Sequence, residues 1–151
     1  MLAFVPDRFT ETVYKDSEGE LILRRWPQLI ASFATGSGTE PMVHWYIREF
    51  HAFVDVAPRR IDIFHDWGKV TTFTSDARRV FLKWGQERND INRRACRGVH
   101  ILVESTLVFL ALEAARSFAS GYFTTYRQRA TFEGERDLRL RAPSTEAIPR
   151  S

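Results

Sequence analysis

The stretch Ile61-Asp62-Ile63-Phe64-His65-Asp66 decides the fold. Ile61, Ile63 and Phe64 form an apolar run too short for a helix; Pro58 bounds it upstream and it ends near His65-Asp66-Trp67, the pattern of a buried central strand. A loop through Gly68 to Phe73 then leads to Thr74-Ser75-Asp76, two capping hydroxyls and an acid. Ala77, Val80, Phe81, Trp84, Arg88, Ile91 and Ala95 follow at helical spacing, which predicts one long helix over 75–97. Gly98 sits where a left-handed cap belongs, after Arg93, Arg94 and Arg97, whose charges suit a helix C-terminus. Gly85 inside this helix costs roughly 1 kcal/mol relative to Ala and suggests a bend or close packing.

Val99–Val103 reads as a second apolar strand, and Ser105 as the cap of a helix over 107–119 that ends at Gly121. That helix is apolar on most faces and is expected to be the most buried. Tyr122–Tyr126 makes a last strand, and 129–140 a short charged helix. The tail, 142–151, contains Pro and Ser and is expected to be disordered.

Upstream, Thr39, Glu40 and Pro41 start a helix on which Val43, Ile47, Phe50 and Val54 recur at three- or four-residue spacing. Before it lie three strands. Thr10–Lys15 turns at Asp16-Ser17-Glu18-Gly19 into Glu20–Arg25; Trp26-Pro27 interrupts the ladder, and Gln28–Thr35 resumes it until Gly36-Ser37-Gly38, read as a linker. The order is β-β-β-α-β-α-β-α-β-α. It specifies a single α/β domain over 10–141, after an extension at 1–9, with a mixed sheet: an N-terminal antiparallel hairpin, parallel strands joined by right-handed crossovers, and about four helices.

The 151 residues are the usual size of one domain, and 44% hydrophobic with 27% charged content is ordinary for a globular chain. Of 22 basic residues 19 are Arg, yet 19 acids leave a net charge of +3, too small for a strong nucleic-acid field. The Arg pairs and neighbouring aromatics therefore read as a solvated surface over a core, and nucleic acid is not the expected partner. One cysteine, Cys96, excludes an intramolecular disulfide and a cysteine zinc cage. The N-terminal residues lack the apolar run of an export signal, and 101–115, broken by Glu104 and Glu113, is too short to span a bilayer. A cytoplasmic protein with no membrane insertion is expected.

Signatures of catalysis are missing from the sequence. Gly36-Ser37-Gly38 has neither the third glycine of a dinucleotide loop nor a following Lys-Ser/Thr pair, and Ser37 lacks the frame of a nucleophile elbow. His44 and His51 are seven apart with Arg48 between them, the wrong spacing and charge for a helical metal site. His65 and Asp66 are adjacent on a strand and must face opposite ways, so they form no dyad. The expectation is a non-enzymatic protein without metal or cofactor.

The element order, with the strand Ile61–Asp66, the segment Gly68-Lys69-Val70-Thr71-Thr72-Phe73, the helix start Thr74-Ser75-Asp76-Ala77-Arg78, and Val99-His100-Ile101-Leu102-Val103-Glu104-Ser105 before an apolar helix, resembles the STAS superfamily. The similarity covers about residues 10–140 and is closer to the SpoIIAA-like branch, also termed STAS/SEC14-like. In anti-sigma-factor antagonists of this family a Ser in an Asp-Ser-Ser-Gly motif is phosphorylated and partner binding is switched off. Ser75 falls at that position, but Thr74, Asp76 and Ala77 replace the rest of the motif. The resemblance implies a regulatory module that docks a protein partner through the 68–75 loop and helix 75–97, with Trp67, Phe73, Thr74, Arg78 and Lys83 as contact residues. Its SEC14-like side implies instead a small apolar ligand, such as a lipid, between helix 107–119 and the sheet. A third reading is a structural homo-oligomer formed through edge strands of the N-terminal hairpin or through aromatic surface.

Overall fold

The computed structural model describes residues 9–116 and 123–150, apart from the side chain of Ala115. The expected ends of helix 107–119 and of its stop at Gly121, the first residue of the last strand, the extension at 1–8 and Ser151 lie outside the described residues. The elements are β1 (Thr10–Lys15), β2 (Gly19–Trp26), β3 (Leu29–Gly38), α1 (Glu40–Val56), β4 (Ile61–Phe73), α2 (Ser75–Glu87), α3 (Asn89–Ala95), β5 (Cys96–Leu102), α4 (Thr106–Arg116), β6 (Phe123–Tyr126) and α5 (Arg129–Arg141). The sheet has six strands in the order β1-β2-β3-β4-β5-β6, antiparallel as far as β3 and parallel from there on.

The layers follow from handedness. Parallel strands that advance steadily in one direction through right-handed crossovers place every crossover helix on the same face. Accordingly α1, α2 and α4 share a core with Leu21, Leu23, Ile30, Ile61, Ile63, Trp67, Val99, Ile101 and Val103. The opposite face is left to α5, whose Phe132 packs on Phe64 and Tyr126 over a smaller core with Leu29, Ala31 and Leu102.

Strand β4 serves both layers by alternation. Ile61, Ile63, His65 and Trp67 face the crossover helices; Asp62, Phe64 and Asp66 face α5. Asp62, 1% exposed, receives Arg97 Nη2–H at 2.7 Å and Nε–H at 3.1 Å, and Arg139 Nη1–H at 3.3 Å. Asp66 receives two bonds from Arg129, at 2.6 and 3.2 Å. Ten residues of helix span about 15 Å and four of strand about 13 Å, so the arginine pair on α5 matches the aspartate pair on β4 when the two run antiparallel. A register shift between Ile61 and Asp62 leaves Arg97 as the extra residue of β5, the bulge that turns its side chain onto Asp62.

Four sequence expectations are corrected. The segment 68–73 is the second half of β4, paired with β3 through Gly38, because Val70-Thr71-Thr72 is β-branched and finds a partner in the supposed 36–38 linker. Gly36 adopts φ +76°, which lets the strand bend at a register shift and continue. The helix expected over 75–97 breaks at Arg88 into α2 and α3, giving five helices among the described residues, and Gly98 pairs with Asp62 inside β5 instead of capping a helix. The tail has no regular structure, yet it is fixed as far as Arg150: Gln28 donates to Ser144 O at 2.8 Å, Arg60 N to Glu146 O at 2.8 Å, Ile148 packs on the core, and Arg150 bonds the carbonyls of Val54 and Ala57 at the end of α1. Composition weighs Pro and Ser and does not register these anchors. Helix α4, expected to be the most buried, is the fourth correction, and its reason lies in the space beneath it.

Two results are expected from these arrangements. Asp62→Asn removes the charge facing Arg97 and Arg139, which are themselves partly exposed, and lowers stability by about 3 kcal/mol, read as a lower urea midpoint at unchanged m-value. Burial pushes His65 from 6.5 down to about 3, and burial aided by Arg139 pushes His100 down to about 4. The unfolded chain takes up these protons near its ordinary value while the folded chain does not. Stability is therefore complete above that value and is lost as pH falls toward the folded values, by on the order of 2 kcal/mol for His65 at about pH 5. Melting temperatures between about pH 7 and about pH 5 should fall, and a His65→Asn/His100→Asn variant should flatten the profile.

Candidate functional site

The aromatic spacing of β4, α1 and α2 converges on one place. Trp67 leaves β4 toward the crossover helices, where Phe73 meets it at 4.9 Å between ring centroids, and Phe81 of α2 at 6.4 Å. Tyr46 and Phe50 of α1 meet Phe81 and Trp84 of α2 at 5.3–6.3 Å. Phe73 can lie over the end of β3 because residue 38 is glycine; a Cβ there would overlap its ring. Trp84 Nε1–H donates to His51 Nε2 at 2.9 Å, which puts the ring proton of neutral His51 on Nδ1. Burial, and then the Arg88 charge, lowers the His51 pKa.

These rings wall a cavity of about 500 Å³ between the sheet, α2 and α4. Its floor is Ile63, His65, Val99 and Ile101; its sides are Trp67, Phe73, Ala77, Phe81, Trp84 and Gly85 on one flank and Val108 and Leu112 of α4 on the other. Exposed Thr71, Thr72, Arg78, Leu107 and Ala111 form the mouth. His65 is the polar group at the bottom. Ser32 Oγ lies 2.6 Å from its Nδ1 and Tyr46 Oη 3.4 Å from its Nε2, and burial holds the ring neutral. It is therefore a fixed hydrogen-bonding group within an apolar lining and a weak base.

The cavity explains α4. Val108 is buried and Phe109 and Leu112 reach the core, but Leu107 is 78% and Leu110 57% exposed. The helix roofs an empty space instead of pressing onto packed side chains, so its apolar surface exceeds what the sheet covers. Gly85 is explained as well: it shares a helix face with Ala77 and Phe81, and a Cβ there would meet no heavy atom within 4 Å. The close packing suggested for it does not occur.

The sequence-derived site residues divide between the inside and the outside of this cavity. Trp67, 6% exposed, and half-buried Phe73 line the cavity wall. Thr74 caps α2, its Oγ1 accepting Ala77 N–H at 3.1 Å, and Ser75 is the exposed first residue of that helix. Arg78 is at the mouth and donates to Phe73 O at 2.9 Å; Lys83 is exposed, 3.8 Å from Glu87. His65 and Asp66 face opposite sides of the sheet. His44 lies beside Glu40 while His51 is held by Trp84, and among the described residues no three His, Cys, Asp or Glu side chains gather as a metal would require. Sequence reasoning missed Tyr46, Phe81, Ile101 and Leu112 as lining, since periodicity marks them only as inward-facing. The readable signals were a glycine on the inward face of α2 and an excess of leucine on α4.

Among the described residues no helix is long and apolar enough to cross a membrane. No family model matches the chain, and no curated protein matches it. Among solved structures it is similar to an uncharacterised protein of the DUF3478 family with a SpoIIAA-like fold from Shewanella loihica PV-4, at 14% identity over 84% of this chain and 92% of that one, with a TM-score of 0.52. Likeness at this identity speaks to architecture, and it agrees with the element order and the mixed sheet. The chain is an α/β domain with the SpoIIAA-like fold.

Proposed function

We propose that the protein binds a small apolar ligand, such as a lipid acyl chain, in the cavity between the sheet, α2 and α4. The observation that carries this reading is the cavity itself: its volume lies within the range of small-molecule sites, and its lining is aromatic and aliphatic with few polar groups, as such sites are. The polar atoms sit at its two ends, His65 at the floor and Thr71, Thr72 and Arg78 at the mouth, which suits a ligand with an apolar body and a polar end. The role is binding rather than catalysis. Burial pushes the Cys96 thiol up to about 12, and Ser32, beside His65, is itself buried.

Docking of a protein partner through the 68–75 segment and α2 is the second reading, favoured by the exposed Ser75, Arg78 and Lys83 along one helix. Its two aromatic contacts now belong to the cavity wall, so a partner would meet the charged side of α2. A role for Ser75 as a phosphorylation switch belongs to this reading.

Native mass spectrometry of the purified protein should show a co-purifying apolar mass, and Trp67 and Trp84 fluorescence should change on adding a fatty acid or a phospholipid. Gly85→Leu separates binding from folding. It improves helix propensity by up to about 1 kcal/mol, its Cβ meets no heavy atom within 4 Å and the rest of its side chain has the cavity to enter, so thermal stability holds or rises while ligand capture falls, in the simplest case about tenfold. An unaltered ligand mass and affinity in Gly85→Leu, or no ligand response in the native protein, would overturn the reading.

A further inference from the structure

Among the described residues the sheet has a sparsely covered face and an unpaired edge at the same place. Helix α5 covers β4 to β6, and the crossover helices lie on the other side, so among the described residues the α5 side of β1 and β2 has little above it beyond Arg24, which bonds Glu11 and lies over the Phe33 ring at 5.1 Å. There Val13 is 50% exposed and Ile22 and Phe33 are partly exposed. Among the described residues β1 pairs only with β2, and its outer row of N–H and C=O groups has no strand beside it. Such edges are usually blunted by a proline, a bulge or brevity. This one is six residues in unbroken register, without proline.

We propose that β1 pairs antiparallel with β1 of a second copy of this chain, about a two-fold axis at Val13. The sequence of β1, Thr10-Glu11-Thr12-Val13-Tyr14-Lys15, is complementary to itself in that register. Val13 meets its counterpart, and Glu11 of each copy lies opposite Lys15 of the other. The cross-strand rows extend the pattern. Glu11 is opposite Arg24, Val13 opposite Ile22 and then Phe33, and Lys15 opposite Glu20. Across the seam the central row becomes one apolar stripe of six side chains, three from each copy. The flanking rows alternate in sign, Lys15 and Arg24 on either side of Glu11, and Glu11 and Glu20 on either side of Lys15. On the other face Thr12 comes opposite Tyr14, beside Trp45, whose ring is tilted against that of Tyr14 with centroids 5.8 Å apart. A slip by two residues either way would place charges opposite Val13 or leave them without counterparts, so the charges set the register.

Light scattering of the full chain at low ionic strength tests this pairing. The native protein should approach twice 17.6 kDa as its concentration rises, with amides 10–15 gaining protection from hydrogen exchange in parallel. Glu11→Lys and Lys15→Glu each place like charges across the seam and should weaken association about tenfold or more, with circular dichroism unchanged. Mixing the two variants in equal amounts sets a strand that is basic at both positions against one that is acidic at both, and should restore the doubled mass. A native protein that stays at the chain mass at all concentrations, doubling that neither substitution weakens, or a mixture that fails to reassociate would each overturn the proposal. Capture of some other protein in place of a second copy, with the native chain monomeric, would also overturn it.

Discussion

Two carboxylates four residues apart on β4 set the geometry of the whole second layer. Asp62 and Asp66 are carried to the α5 side of the sheet by strand alternation, and an unpartnered buried charge there would cost several kcal/mol. Arg129 and Arg139, ten residues apart on α5, meet that spacing only when the helix runs antiparallel to β4, so the two ion pairs fix its direction and its position along the strand. Phe132 is thereby set over Phe64 and Tyr126. The bulge at Arg97 and the tail beyond Ala142 join the same arrangement, since Arg97 bonds both Asp62 and the Ala142 carbonyl. A pair of charges thus organises the side of the fold with the smaller apolar core.

The opposite layer is organised by rings. Tyr46, Phe50, Phe81 and Trp84 interlock between α1 and α2, while α4 is held by Val108, Phe109 and Leu112 and by polar ties beside β6, among them Arg116 Nη1–H to Phe123 O at 2.7 Å and Thr125 Oγ1–H to Glu113 Oε2 at 3.3 Å. Aromatic walls on one flank and a roof tied along its β6 side on the other leave a cavity that close packing would otherwise remove. The polar cluster of Ser32, His65 and Tyr46 is buried beneath it, which is why the His65 ring remains neutral and orienting.

Much of this was legible in the sequence where one periodicity ruled. The hairpin, α1, the first half of β4, β5 and α5 follow from alternation, caps and three- or four-residue spacing, and the mixed sheet follows from their order. Where local and tertiary signals compete, the sequence misleads. Gly36, Gly38 and Gly68 read as loop, yet the first bends a strand and the second makes room for Phe73. Arg88 breaks a helix without any Pro or Gly to mark it. Leu107 and Leu110 count as core in composition, but whether a leucine is buried depends on what the sheet places opposite it. The site was legible only as a set of inward aromatics; that they enclose space is a property of their assembly.

Sequential strand order has a further consequence for how the chain is made. Because each strand lies beside the one before it, no strand is inserted between two that are already paired, and every strand emerging from the ribosome meets a finished edge. Sequential order lets the sheet be extended outward from the hairpin in one direction. The pairing of β4 with β3 encloses only α1 and a short turn, so this parallel closure spans no more than one crossover.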